Sequence, residues 1–174
     1  MRSLFAFVLW LLAVDALAQA SGGCDDFRWD VATERALFST AHGTHVVSGS
    51  VASAAPDVLV GELFEVALYP QESVQLAAPP SKVMLADGLF SGLLRLRIPA
   101  AGRYRIALDS GAWIYVVNGA DSINPCEFSG AETCTKPSKI VLFDLPSSES
   151  LWLQISGATS ARVNVTIVPH IDAN

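Results

Sequence analysis

Residues 93–109 read LLRLRIPAAGRYRIALD, two alternating segments joined by a short turn. In the first, Leu94, Leu96 and Ile98 share one face and Arg95 and Arg97 the other. In the second, Tyr104, Ile106 and Leu108 oppose Arg103 and Arg105. A period of two with a clean apolar side is the signature of strands with one face on a core and one in water. The turn Pro99-Ala100-Ala101 followed by Gly102 suits a three-residue hairpin loop. The register this predicts pairs Arg97 with Arg103 and Arg95 with Arg105. All four arginines then lie on one outer face, where like charges directly opposite are unfavourable unless answered.

The same period recurs on both sides. Leu63–Tyr69, Val74–Ala78, Trp113–Val117, Ile140–Leu145, Leu151–Ile155 and Arg162–Val168 complete about eight short alternating segments, separated by Gly-, Pro-, Ser- or Asn-bearing turns. The expected fold is mainly β, a single antiparallel sandwich. Residues 118–138 are the one long interruption, and they carry two cysteines. Upstream, Phe27–Ser39 predicts a short helix with Asp30 as N-cap and Ala36, Leu37 and Phe38 on its apolar side. Thr40–Pro56, rich in Ser, Ala, Gly and Thr, reads as a loop.

The N-terminus has a different character. Arg2 precedes an apolar run, Leu4–Val14, and then the small residues Ala16, Ala18 and Ala20. This is the layout of a cleavable signal peptide, and the run is too short to span a bilayer as a helix. The expected divisions are a signal peptide over 1–20, an extension with helix and loop over 21–62, and the β-sandwich over 63–170. No later stretch reads as a membrane span. A formal net charge of -6 argues against a nucleic-acid partner. The expected location is periplasmic or secreted, where disulfides are permitted. The cysteines are Cys24, Cys126 and Cys134. Cys126 with Cys134 can clip one loop, and Cys24 with Cys134 can tie the N-terminus to the body. Lipidation of Cys24 is a third option, although Ser21-Gly22-Gly23 lacks the large aliphatic residue of a lipobox.

The arginine face is the leading candidate ligand site. Guanidinium forks bind carboxylate, sulfate or phosphate bidentately; the competing reading has neighbouring acids answer Arg95, Arg97, Arg103 and Arg105. Trp29, Trp113, Tyr115, Phe128 and Trp152 offer stacking surfaces for sugars, or core packing. His42 and His45 could hold a metal with Asp25, Asp26 or Asp30, but no helix or strand is expected to frame them. No G-x-S-x-G elbow occurs, and no catalytic residues are assigned. Asn164-Val165-Thr166 fits the N-glycosylation sequon.

The run GLLRLRIPAAGRYRIALDSGAWIYVV resembles strand pairs of bacterial extracellular modules of the pre-peptidase C-terminal and carbohydrate-binding jelly-roll types. Most of the chain after residue 20 is similar to a group of uncharacterised exported proteobacterial proteins. The residues that carry this are Cys24, Asp25, Asp26, Phe27, Trp29, Asp30 and Val31, then Leu85–Gly88, the A-G-x-Y-R turn, Cys134 and Lys139–Leu145. The resemblance implies a jelly-roll-like sandwich and a Cys24–Cys134 bridge with Cys126 left over. Some members carry a homogentisate dioxygenase label, which implies iron held by two histidines and a carboxylate. The expected function is non-enzymatic: a binding or accessory protein of the envelope, without a cofactor, whose ligand is a glycan, an anionic surface component or another envelope protein. The alternatives are a metal-dependent enzyme using His42 and His45, or a structural protein with a protein partner.

Overall fold

The computed structural model describes residues 26–81, 87–131 and 134–171. The signal-peptide reading, Cys24 and Asp25 lie outside the described residues. The chain is mostly β. Its strands are β1 (Thr44–Val47), β2 (Asp57–Val58), β3 (Leu63–Ala67), β4 (Tyr69–Pro70), β5 (Phe90–Ile98), β6 (Gly102–Leu108), β7 (Trp113–Asn118), β8 (Asp121–Ile123), β9 (Glu127–Gly130), β10 (Lys139–Leu145), β11 (Ser148–Ala158) and β12 (Arg162–Pro169), with one α-helix, α1 (Ala32–Phe38).

They form two sheets. One runs β1-β3-β12-β6-β10-β9; the other runs β2-β5-β11-β7-β8, with β4 also on β5. Both are mixed, which corrects the antiparallel expectation: β1 lies parallel to β3 and β2 parallel to β5, while the other pairings are antiparallel. The two parallel strands come from the segment read as a separate extension and loop. Thr44–Val47 carries no alternating burial that a sequence could reveal, because it is a largely exposed edge strand. Val74–Ala78 is not a strand.

The alternation is correct where it is strongest. Leu94, Leu96 and Ile98 of β5, Tyr104, Ile106 and Leu108 of β6, Val141, Phe143 and Leu145 of β10 and Leu151, Leu153 and Ile155 of β11 enter one core shared by both sheets. Two sheets joined by one apolar core are consistent with a β-sandwich. A second, smaller cluster lies on the outer face of the first sheet. There Phe27, Val31 and Phe38 cover Leu63, Ala107 and Ile140, with Cys134 among them. The predicted helix exists but is shorter, with the Ala32 amide donating to Asp30 Oδ1 at 2.9 Å.

The expected β5–β6 hairpin does not form. β5 pairs with β11, and β6 pairs with β10 and β12 in the other sheet. The turn at residues 99–101 is an arch between sheets, pinned by the Tyr104 hydroxyl donating to the Ala100 carbonyl at 2.8 Å. Local alternation is the same for a hairpin and an arch, so the period alone does not distinguish them. The arch also separates the two arginine pairs that a hairpin would set face to face.

Candidate functional site

The four arginines therefore occupy two different sheets. Arg97 reaches Asp57 Oδ2 at 2.7 Å and Glu149 Oε2 at 2.6 Å, and Arg95 lies 3.6 Å from Asp57 Oδ1. The hydrogen bond from Arg97 holds the Asp57 carboxyl below the usual aspartate range. Parallel pairing of Asp57 with Arg95 sets this acid beside them. The Arg95 guanidinium also sits 5.4 Å from the Trp152 ring centroid. This half of the expected anion face is neutralised by its own neighbours.

Trp152, Tyr115 and Trp113 are half-buried on β11 and β7, with Gln154 opposite Tyr115 and Ser156 opposite Trp113. They do not make an open platform. The fully buried Gln154 side chain accepts from the Ala78 amide at 3.2 Å and donates to the Ala78 carbonyl at 3.1 Å. Its carboxamide imitates a neighbouring peptide and holds Ala78 by both its backbone groups. The Tyr115 hydroxyl lies 3.4 Å from Ser81 Oγ beside it.

Arg105 is buried beneath α1. Its Nε lies 2.8 Å from Glu34 Oε1, off the hydrogen-bond line, while its other nitrogens donate to Glu34 Oε2 at 3.1 Å and to the Asp30 carbonyl at 2.8 Å. Burial pushes the Glu34 carboxyl up, against a backbone hydrogen bond and the Arg105 charge, which pull it down. This pair fastens the helix to the sheet, and its guanidinium fork is already filled.

In front of it opens a groove of about 530 Å³, bounded by Arg28–Asp30, Arg103 and Arg105 of β6, Glu127 of β9 and Pro169–Ile171. Such a volume is typical of small-ligand sites. Trp29 forms one wall, edge-on to His170 with ring centroids 6.0 Å apart. Arg28 is exposed, pairs with Glu127 Oε2 at 3.3 Å, and its amide donates to Ser129 Oγ. The groove thus holds three guanidinium groups, of Arg28, Arg103 and Arg105, and the carboxylates of Asp30 and Glu127, with Glu34 answering Arg105 from behind. The sequence offered Trp29, Arg103 and Arg105 separately. Glu127, His170 and Arg28 gave no local signal, because only the fold brings the two chain ends and β9 together.

The other candidates are apart. His42 and His45 are exposed, and His45 Nδ1 lies 3.4 Å from Glu65 Oε1, which Arg162 also contacts. Among the described residues no group of three His, Cys, Asp or Glu side chains that could hold a metal converges, and Asp25 lies outside them. Cys126 is an exposed free thiol, which excludes the Cys126–Cys134 clip. Asn164 of the sequon donates through Nδ2 to Asp109 Oδ2 at 2.6 Å, so that side chain is engaged. Phe128, expected as a stacking surface, is exposed on β9, in the other sheet from Trp113, Tyr115 and Trp152. Among the described residues no helix is long and apolar enough to cross a membrane.

No protein family model matches the chain, and no curated protein matches it. Among solved structures it is similar to a β-glucosidase from Kluyveromyces marxianus at 10% identity and a TM-score of 0.28, over 48% of this chain and 11% of that one.

Proposed function

We propose that this chain is an exported, non-enzymatic binding protein of the cell envelope, with a jelly-roll-like sandwich whose groove beside Trp29 takes a glycan. The observation that carries this reading is the composition of the groove: an indole wall beside three guanidinium groups already balanced by three carboxylates. A balanced set gives a polyanion little net attraction. It suits a hydroxyl-rich, uncharged ring, whose apolar face lies on the indole while its hydroxyls donate to Glu127 and Asp30 and accept from Arg28. This narrows the sequence expectation from an anionic or glycan ligand to a glycan. A Cys24–Cys134 bridge belongs to the same reading, supported by the burial of Cys134 under the N-terminal segment.

The test is affinity electrophoresis of the purified protein in gels containing neutral and acidic polysaccharides, followed by calorimetry with oligosaccharides of whichever retards it. Trp29→Ala and Glu127→Gln should each weaken binding by about tenfold, one hydrogen bond or stacking contact, while Arg95→Gln with Arg97→Gln leaves it unchanged. Retardation by no polysaccharide, or retardation indifferent to Trp29 and Glu127, overturns the assignment.

A further inference from the structure

Lys139 opens β10, opposite Gly130 of β9 and Leu108 of β6. Its ammonium crosses to the other sheet, donates to the Ala112 carbonyl at 2.9 Å and lies 4.8 Å from the Trp113 ring centroid. Among the described residues no carboxylate pairs with it. An ammonium has three donors, and these contacts engage two directions. Beside it is a cavity of about 500 Å³ lined by Gly111, Phe128, Gly130, Ala131, Ser138 and Lys139. The walls are mostly apolar, and Phe128, at 70% exposure, is the most exposed aromatic on the described surface.

A half-buried cation at an apolar wall, with no acid paired to it among the described residues, is an unusual combination. Lysines are seldom fully buried unless paired; Lys139 is half-buried, and that partial burial pulls its ammonium below the usual lysine range. Arg28, Arg95, Arg97, Arg105 and Arg162 each contact a carboxylate; Arg35 and Lys136, which contact none among the described residues, are exposed, whereas Lys139 is half-buried. The missing charge has a definite complement. An anion at Nζ, in surroundings of reduced dielectric, would gain more than at an exposed lysine. A molecule carrying that anion on an apolar body would also cover Phe128 and the glycine-lined wall.

We propose that this cleft between the ends of the two sheets is a second binding site, for a small apolar monocarboxylate whose carboxylate meets Lys139 and whose body lies against Phe128. The site is separate from the glycan groove and stands or falls independently of it.

The experiment uses phenylacetate and octanoate as probes of the purified protein, with the neutral phenylacetamide as control. Binding is followed by calorimetry and by the Trp113 indole N–H resonance. The expected result is saturable one-to-one binding that shifts the Trp113 resonance. Phenylacetamide should bind about tenfold more weakly, a difference of about 1.4 kcal/mol. Lys139→Gln should lose a similar factor. Phe128→Ser alters an exposed side chain and leaves the inter-sheet contacts in place, so it keeps the test open should Lys139→Gln unfold; it too should weaken binding. No saturable binding below about 10 mM, far weaker than a millimolar site, overturns the proposal. So does equal affinity for phenylacetamide, or binding that ignores Phe128→Ser.

Discussion

Arg105 and Glu34 show how one residue changes meaning once its surroundings are known. In the sequence Arg105 is one of four equivalent basic residues on the outer sides of two strands. In the fold it is buried, and the helix residue that answers it, Glu34, is fully buried as well. Glu34 stands three residues after Val31 and four before Phe38, so helical spacing puts it on the buried face of α1, a placement that its charge opposes. The pair exists because α1 lies over the sheet, and no local pattern announces it. Removing one partner leaves an unanswered buried charge, which costs about 3–5 kcal/mol. Glu34→Gln should therefore lower stability by roughly that amount in urea unfolding. Replacing both residues with apolar ones of similar size (Glu34→Leu with Arg105→Met) should recover most of the loss, since the desolvation cost disappears with the charges. A double variant as unstable as the sum of the single changes would contradict this account. The groove in front of the pair inherits its shape from this fastening, so a loosened α1 should also weaken any groove ligand.

At the level of elements, the strongly alternating core strands were legible, while the short strands β1, β2, β4, β8 and β9 and the pairing of all of them were not. β5, β6, β10, β11 and β12 all stand where the alternation put them, because their apolar sides face one core. The arch between β5 and β6 uses the same turn residues as a hairpin, and only the rest of the sheet decides. The expected strand Val74–Ala78 failed for another reason. It bends at Ala77 and Ala78, and it is held by one backbone bond, from the Gln75 amide to the Ser50 carbonyl, and by the Gln154 side chain at Ala78 instead of a ladder. Two glutamines do this work: Gln154 for Ala78, and Gln71, whose Oε1 accepts from Ser91 Oγ at 3.0 Å and from the Gly157 amide at 2.9 Å. Gln154, a fully buried glutamine within an apolar strand, is the one sequence feature that points to this contact. Gln154→Leu keeps the volume but leaves the Ala78 amide and carbonyl without partners, at about 1–3 kcal/mol for each buried group. The expected outcome is a lower melting temperature together with faster hydrogen exchange at Ala78 and new protease cleavage within 75–81. Stability lost without local exposure would mean that Gln154 matters for core packing instead.

For the whole molecule, the candidate groove could not be assembled from sequence because its walls come from opposite ends of the chain and from β9 between them. The same closure places Cys134, 1% exposed, in the cluster formed by Phe27, Val31 and Phe38 over Ala107 and Ile140. Cys126, eight residues earlier, faces solvent as a free thiol. These two environments make opposite predictions. With Cys24 joined to Cys134, as proposed, the bridge would close a loop of more than a hundred residues and remove entropy chiefly from the unfolded chain, for a typical gain of about 2–4 kcal/mol. Cys134→Ser should then lower the melting temperature by many degrees and abolish its sensitivity to reductant. Cys126→Ser should change stability by less than about 0.5 kcal/mol, as an exposed site away from any special contact does. The native protein should take up one equivalent of a maleimide, and Cys126→Ser should take up none. Two equivalents in the native state, or a melting temperature indifferent to reductant, would show that the N-terminal segment is held by its apolar contacts and the Arg105–Glu34 pair without a covalent tie.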